Sequence, residues 1–206
     1  MKKSLLFFLF VILLPTCLNA DVEKFKINKT EDDIHFQGAL VAPAGPEIQE
    51  KFCRIISKYR KAYENEARTG KPLGKKRRLM SIFEKRNIQL AHLLSSGAIQ
   101  GWAGRITKLS DVSSGAILVV ELSCNALFKA TPNPLIIPPD TEVYKALAQT
   151  KPNQQIRFSG TLFPRGEFPG GYPEFHAVAF HEDSFTQNGS MDEPEFLFRF
   201  DHINLN

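Results

Sequence analysis

The side chains best suited to binding are aromatic rings and one arginine in a segment rich in glycine and proline, between two predicted strands. Aromatic faces and a guanidinium can stack on sugar rings or nucleobases. The alternative is that the rings cap the end of a sheet and hold a long loop in place. The segment therefore predicts a ligand-contacting surface, made of Phe163, Arg165, Phe168, Tyr172 and Phe175.

The histidines and carboxylates form no catalytic pattern. None of the five histidines has a zinc-ligand spacing with cysteines or carboxylates, and the sequence contains no nucleophile elbow, phosphate loop or dinucleotide fingerprint. His181, Glu182 and Asp183 are adjacent, and we interpret them as a turn. We predict no catalytic residue, no metal ligand and no cofactor. The alternative is a hydrolase or metal-dependent enzyme that uses these three residues.

Two cysteines, Cys53 and Cys124, follow the N-terminal twenty residues. Outside the cytoplasm two cysteines can form a disulfide, which here would join an N-terminal helix to a sheet. The alternative is two separately buried thiols, because a free cysteine behaves as a small hydrophobic residue. The sequence leaves both arrangements open.

A run of four basic residues follows a break at residues 70–74. Such a run can bind phosphate groups or an anionic membrane surface. At the start of a helix it can equally be a solvated terminus. A membrane surface is therefore a candidate partner, through Lys75, Lys76, Arg77 and Arg78.

The first twenty residues predict export. Lys2 and Lys3 precede a short apolar run, and the stretch ends in small residues at Ala20. This is the pattern of a Sec-type signal peptide, and the apolar run is too short for a spanning helix. We expect a periplasmic or secreted protein, with an uncleaved anchor as the alternative. Removing the leader lowers the formal net charge from +4 to +2, which argues against a nucleic-acid partner.

Residues 21–97 are predicted to be a mainly helical N-terminal region. From Pro46 to about Gly70, apolar residues recur at steps of three and four, which is typical of an amphipathic helix. Apolar residues at 79–94 predict one interrupted helix or two short ones. The charged face of the first helix is interpreted as a solvated surface.

Residues 98–206 are predicted to form a separate β-domain. Alternation around Trp102 and an apolar run at 116–122 predict two strands joined by a turn at 113–115. Prolines on both sides of residues 135–137 predict a third strand at a sheet edge. A short helix capped by Thr141 and two alternating strands, at 156–162 and 195–203, complete the domain.

This order predicts an α+β protein in which a five-stranded Greek-key barrel follows an N-terminal helical region. Two stretches also carry a resemblance: TEVYKALAQTKPNQQIRFSGTLF, residues 141–163, and SFTQNGSMDEPEFLFRFDHINL, residues 184–205. They resemble the C-terminal OB-like module of uncharacterised exported bacterial proteins, with its helix, "FSG" and closing "GSMxxPEFxFRF" pattern. The resemblance covers residues 99–205 and implies no activity.

OB-like barrels bind ligands across strands 2 and 3 and through the loops between strands 1–2 and 4–5. The aromatic segment lies in the strand 4–5 loop, at residues 163–194. We therefore expect an exported, non-catalytic binding or assembly module of the bacterial cell envelope. Its expected partner is an envelope protein or a glycan, contacted through that loop.

Overall fold

The computed structural model describes residues 42–131, 135–163, 180–183 and 187–205. The predicted leader lies outside the described residues. Two long helices come first: α1 (Pro46–Thr69) and α2 (Lys75–Leu93). The predicted helix at Pro46 is confirmed, and a proline suits this position because the first turn needs no N–H from it. The second helix is continuous, so the predicted interruption is wrong.

The remaining elements in the described residues build a closed barrel with short helices attached. The elements are β1 (Ala98–Val112), β2 (Gly115–Glu121), β3 (Leu127–Lys129), α3 (Glu142–Leu147), β4 (Gln155–Leu162), α4 (Gln187–Asp192) and β5 (Glu195–Leu205). The barrel order is β1-β2-β3-β5-β4, with β3 and β5 parallel and the other neighbours antiparallel. This confirms the predicted α+β class and the five-stranded OB-like barrel after an N-terminal helical region.

The third strand differs from its prediction. It lies at Leu127–Lys129, whereas Ile137 forms only an isolated bridge to Ala116 of β2. Residues 127–129 form the strand because they pair with β2 on one side and with the parallel strand β5 on the other. The predicted cap of α3 is confirmed, because the Thr141 hydroxyl accepts a hydrogen bond from the Tyr144 N–H at 3.2 Å.

The barrel and the helices share one apolar core. Phe52 of α1 is fully buried, and its ring centroid lies 5.2 Å from that of Trp102 in β1, 6.0 Å from Phe128 in β3 and 5.7 Å from Phe196 in β5. Leu90 of α2 belongs to the same cluster. The first helix therefore contributes a side chain to the barrel interior.

Much of the quoted resemblance pattern has a packing role. Gly160, in "FSG", faces β5 so closely that an added Cβ would lie 2.0 Å from the Arg199 carbonyl oxygen. The phenylalanines of the closing pattern, Phe196, Phe198 and Phe200, are all buried in the core. Met191 of α4 is buried against Tyr59 and the neighbouring apolar face of the helices.

Candidate binding cleft

The structure describes one of the five predicted loop residues. Phe163 follows β4 and is partly buried, and its carbonyl oxygen accepts a hydrogen bond from the His181 N–H at 2.8 Å. Arg165, Phe168, Tyr172 and Phe175 lie outside the described residues. The aromatic contact surface therefore stays a prediction.

The described end of the same crossover is packed against the rest of the protein. Residues 180–183 run beside the start of β5, where Leu197 donates to the His181 carbonyl at 3.0 Å and Asp183 donates to the Glu195 carbonyl at 2.8 Å. In α4, Asn188 accepts a hydrogen bond from the Tyr63 hydroxyl. This part of the crossover holds the helices and the barrel together.

The adjacent carboxylates of this segment bind different cations. Glu182 forms a buried ion pair with Arg86 of α2, with 7% and 1% of the two side chains exposed. Asp183 lies 2.7 Å from the Lys129 ammonium, which also contacts Glu195 at 2.9 Å. Each carboxylate is already engaged in an ion pair that joins separate elements, so this geometry does not favour the hydrolase alternative.

Both ion pairs affect the protonation of their cations. Burial lowers the pKa of Arg86, and the carboxylate of Glu182 opposes that effect. Burial would also lower the pKa of Lys129, but its hydrogen bonds to Asp183 and Glu195 outweigh burial and raise the pKa. The raised pKa keeps the Lys129 ammonium charged at neutral pH. Among the described residues, no cluster of three or more His, Cys, Asp or Glu side chains could hold a metal ion.

A cleft of about 780 Å³ lies between α1 and the outer surface of β1 and β4. Its size is within the range of ligand-binding sites. A smaller cleft of about 230 Å³ adjoins it, and the two share Gln49, Ala103 and Ser123. The larger cleft is lined by Pro46, Gln49, Glu50, Cys53, Arg54, Ser57, Lys58, Lys61, Ala103, Ser123 and Arg157.

Side-chain to backbone bonds fix the position of α1 beside this cleft. The Gln49 amide nitrogen donates to the Ala103 carbonyl at 2.6 Å, and its amide oxygen accepts from the Ala103 N–H at 2.9 Å. Gln49 thus pairs with β1 as a strand residue would. The Trp102 indole N–H donates to the carbonyls of Ala44 and Gly45 at 2.9 and 3.0 Å. These bonds tie the first turn of α1, and the residues just before it, to β1.

A disulfide also holds α1. Cys53 is bonded to Cys124, and the two Cα atoms are 5.3 Å apart, within the range that disulfides require. Cys53 lines the cleft, and Cys124 lies in the turn between β2 and β3. The disulfide, left open by the sequence, is present in the structure and joins the helix to the barrel.

The larger cleft carries an excess of positive charge. Arg54, Lys58 and Lys61 follow each other on α1 at steps of four and three residues, and Arg157 faces them from β4. Glu50 supplies the one carboxylate of the lining and lies 3.8 Å from Arg54 in an exposed pair. Four cations and one carboxylate favour an anionic ligand.

The adjoining smaller cleft is balanced. Arg105 and Glu121 both line it and form an ion pair at 2.5 Å. The positive excess is therefore confined to the larger cleft, between α1 and β4.

From the sequence alone, the α1 cations are interpreted as part of a solvated face. The spacing of these cations along α1 can be read from the sequence. The position of Arg157 opposite them cannot, because it depends on how α1 docks against the barrel.

The basic run lies at the start of α2. The Arg78 side chain lies against the connection between α1 and α2. Its Nε atom is 2.7 Å from Glu66, and its two terminal nitrogens donate to the carbonyls of Leu73 and Lys71. The Lys75 ammonium donates to the Ala67 carbonyl. Lys76 and Arg77 are exposed. The run thus combines residues that shape the connection between the helices with residues on its surface.

Comparison of the chain with protein-family models, with curated proteins and with solved structures gave no match. None of the helices in the described part of the chain has both the length and the apolar content that a membrane crossing requires.

Proposed function

We propose that this chain is an exported binding or assembly module of the bacterial cell envelope, which holds an envelope protein or a glycan without catalysing a reaction. The observation that carries the binding role is the cationic cleft between α1 and the barrel. Its charge favours a partner with acidic groups, such as an acidic peptide segment or an acidic glycan. The OB-like barrel is an architecture that hosts such sites, but the fold alone assigns no function.

Two features support the proposed location. The N-terminal leader pattern is typical of exported proteins. The Cys53–Cys124 disulfide suits an oxidising compartment, because such bonds form and persist in the periplasm or outside the cell. The aromatic loop with Arg165 and Tyr172 is a second proposed contact surface, adjacent in sequence to the end of β4.

The test is capture of envelope components by crosslinking and purification of the tagged protein from its native host. The double variant Lys58→Glu/Arg157→Glu reverses two cleft charges that come from different elements. We expect it to lose the captured partner, because like charges repel. The matched control is Lys51→Glu/Lys151→Glu, which makes the same net change at exposed residues outside the cleft lining.

The outcomes separate the two surfaces. Loss with the cleft variant and retention with the control would support the cleft. Unchanged capture by the cleft variant, together with loss in Arg165→Ala/Tyr172→Ala, would assign binding to the loop. Retention of every partner in both variants would contradict the proposed contact surfaces.

A further inference from the structure

The connection between α1 and α2 presents an apolar side chain to solvent. We call residues 70–77 the tip. The Leu73 side chain at its centre is 91% exposed, well above the other exposed large hydrophobic residues of the described chain. Isolated exposed apolar residues are common, so exposure alone carries no function. The structure that surrounds Leu73 is what distinguishes it.

The tip is a well-bonded loop that holds Leu73 outward. Arg78 donates to the Leu73 carbonyl at 2.8 Å and to the Lys71 carbonyl at 2.5 Å, and its Nε atom is bonded to Glu66. Gly74 adopts a left-handed conformation with φ of 73°, which permits the tight entry into α2. The backbone on both sides of Leu73 is thus tied to one guanidinium.

The surface around Leu73 is strongly basic. Between residues 65 and 78 the chain has six basic residues and one acidic residue, Glu66, which Arg78 already binds. Lys71 and Lys76 are exposed on the two sides of Leu73 in sequence. A protruding apolar side chain among cations combines the two attractions that bring proteins to anionic lipid surfaces.

We propose that the tip docks on an anionic phospholipid surface, with Leu73 entering the boundary between headgroups and acyl chains and Lys71 and Lys76 contacting the headgroups. The chemistry favours lipid over an acidic protein. A protein partner would need a preformed pocket for Leu73, whereas a bilayer accepts a protruding apolar group at any position. Lysines act as mobile point charges and need no fixed partner geometry. Arg78, whose planar guanidinium suits a partner with fixed geometry, is already bonded to Glu66 and to the Leu73 and Lys71 carbonyls.

This docking is independent of the cleft. The cleft cations lie at residues 54–61 of α1 and at Arg157 of β4, whereas the tip follows the last residue of α1. A module held on a membrane by its tip would keep the cleft available for its partner. Failure of one proposal leaves the other intact, because the cleft variant Lys58→Glu/Arg157→Glu does not alter the tip.

The test uses the exported, purified protein in vesicle sedimentation. The vesicles are phosphatidylcholine alone, or phosphatidylcholine with about one third phosphatidylglycerol, which supplies the anionic surface. We expect binding to the anionic vesicles only, and a steep loss of binding as salt rises. Leu73→Ser should weaken binding about tenfold, because it removes the apolar side chain that enters the membrane boundary. Lys71→Gln/Lys76→Gln should weaken it about thirtyfold, since each lysine near an anionic surface contributes about 1 kcal/mol.

Matched controls distinguish the tip from general surface effects. Ile88→Ser removes an exposed apolar side chain of α2, outside the tip. Lys51→Gln/Lys151→Gln removes two exposed charges that also lie outside the tip. Both should bind vesicles as the wild type does. Circular dichroism verifies that every variant is folded, which we expect because the substituted side chains are exposed.

Three results with vesicles alone would each overturn the proposal. They are equal binding to neutral and anionic vesicles, an unchanged affinity in Leu73→Ser, and equal loss in the tip variants and their controls. Soluble polyglutamate is the probe for the acidic-protein alternative. If polyglutamate competes with vesicles for the wild type and for Leu73→Ser equally, the tip is a general polyanion patch and the lipid proposal fails.

Discussion

Arg86 of α2 is a charged residue inside the packed interior. Its guanidinium donates to the Asn87 side-chain oxygen at 2.7 Å, to the Ser190 carbonyl and to the Glu182 carboxylate. These bonds join α2 to the end of the crossover and to α4. Burying two opposite charges costs desolvation energy. The pair is tolerated because each charge has its partner and the guanidinium makes several further hydrogen bonds.

We expect Arg86→Met to lower the free energy of unfolding by about 3–5 kcal/mol, because it leaves the Glu182 carboxylate buried without its guanidinium. The double variant Arg86→Met/Glu182→Leu should recover most of that loss, since no buried charge remains. Denaturant unfolding of the two single variants and the double variant measures this coupling.

Arg199→Met is the control for this cycle. Arg199 pairs with Asp201 at 3.0 Å, but both side chains are largely exposed. We expect its loss to change stability by less than about 1 kcal/mol. A double Arg86/Glu182 variant that is as unstable as Arg86→Met alone would contradict the charge-burial account and would indicate that packing around Arg86 dominates.

At the scale of elements, α1 is fixed to the barrel by the Gln49 amide, the Trp102 indole and the Cys53–Cys124 disulfide. The disulfide spans 71 residues of sequence. A cross-link over a loop of that length restricts the unfolded chain and stabilises the fold by about 4 kcal/mol in the chain-entropy account.

We therefore expect Cys53→Ala/Cys124→Ala to lower the free energy of unfolding by up to about 4 kcal/mol. Denaturant unfolding with and without a reducing agent provides the measurement. Reductant should destabilise the wild type to nearly the same level and should leave the double variant unchanged. A wild-type protein with two titratable free thiols and no response to reductant would refute the bridge.

Sequence periodicity predicted the elements whose pattern is local. The three- and four-residue steps from Ile48 to Tyr63 give α1, and Thr141 gives the start of α3. Periodicity failed at β3, because three residues are too few to show alternation and their pairing depends on the parallel neighbour β5. The apolar run at 135–137 was the stronger local signal, yet only Ile137 makes a bridge.

The candidate cleft shows the same limit. The cations of α1 could be located from the sequence, but the surface that faces them comes from Ala103 and Arg157, more than forty residues later. No local pattern tells which barrel face a helix will cover. The disulfide was likewise an option in the sequence and became definite only when the geometry brought Cys53 and Cys124 together.

For the molecule as a whole, the shared core predicts that helices and barrel unfold together. Phe52 contacts rings from three barrel strands. We expect Phe52→Ala to cost about 3–5 kcal/mol, because it opens a cavity in this cluster. Helical circular dichroism reports α1 and α2, while the fluorescence of Trp102, the chain's single tryptophan, reports the barrel.

The two signals should show one transition at the same, lowered denaturant midpoint. If the helical signal were lost first while Trp102 fluorescence kept its wild-type midpoint, the helices and the barrel would be separate folding units. Ile88→Ser, at an exposed position of α2, serves as the control and should leave both midpoints within experimental error of the wild type.

The closed barrel also restricts how other molecules can join this protein. β1 pairs with both β2 and β4, and the side of β2 beyond β3 is occupied by hydrogen bonds from Ala130 and Ile137. Where a described strand is paired on both sides, its backbone offers no template for an incoming polypeptide strand. Along these stretches another molecule, including a second copy of the barrel, meets side chains and cannot extend the sheet.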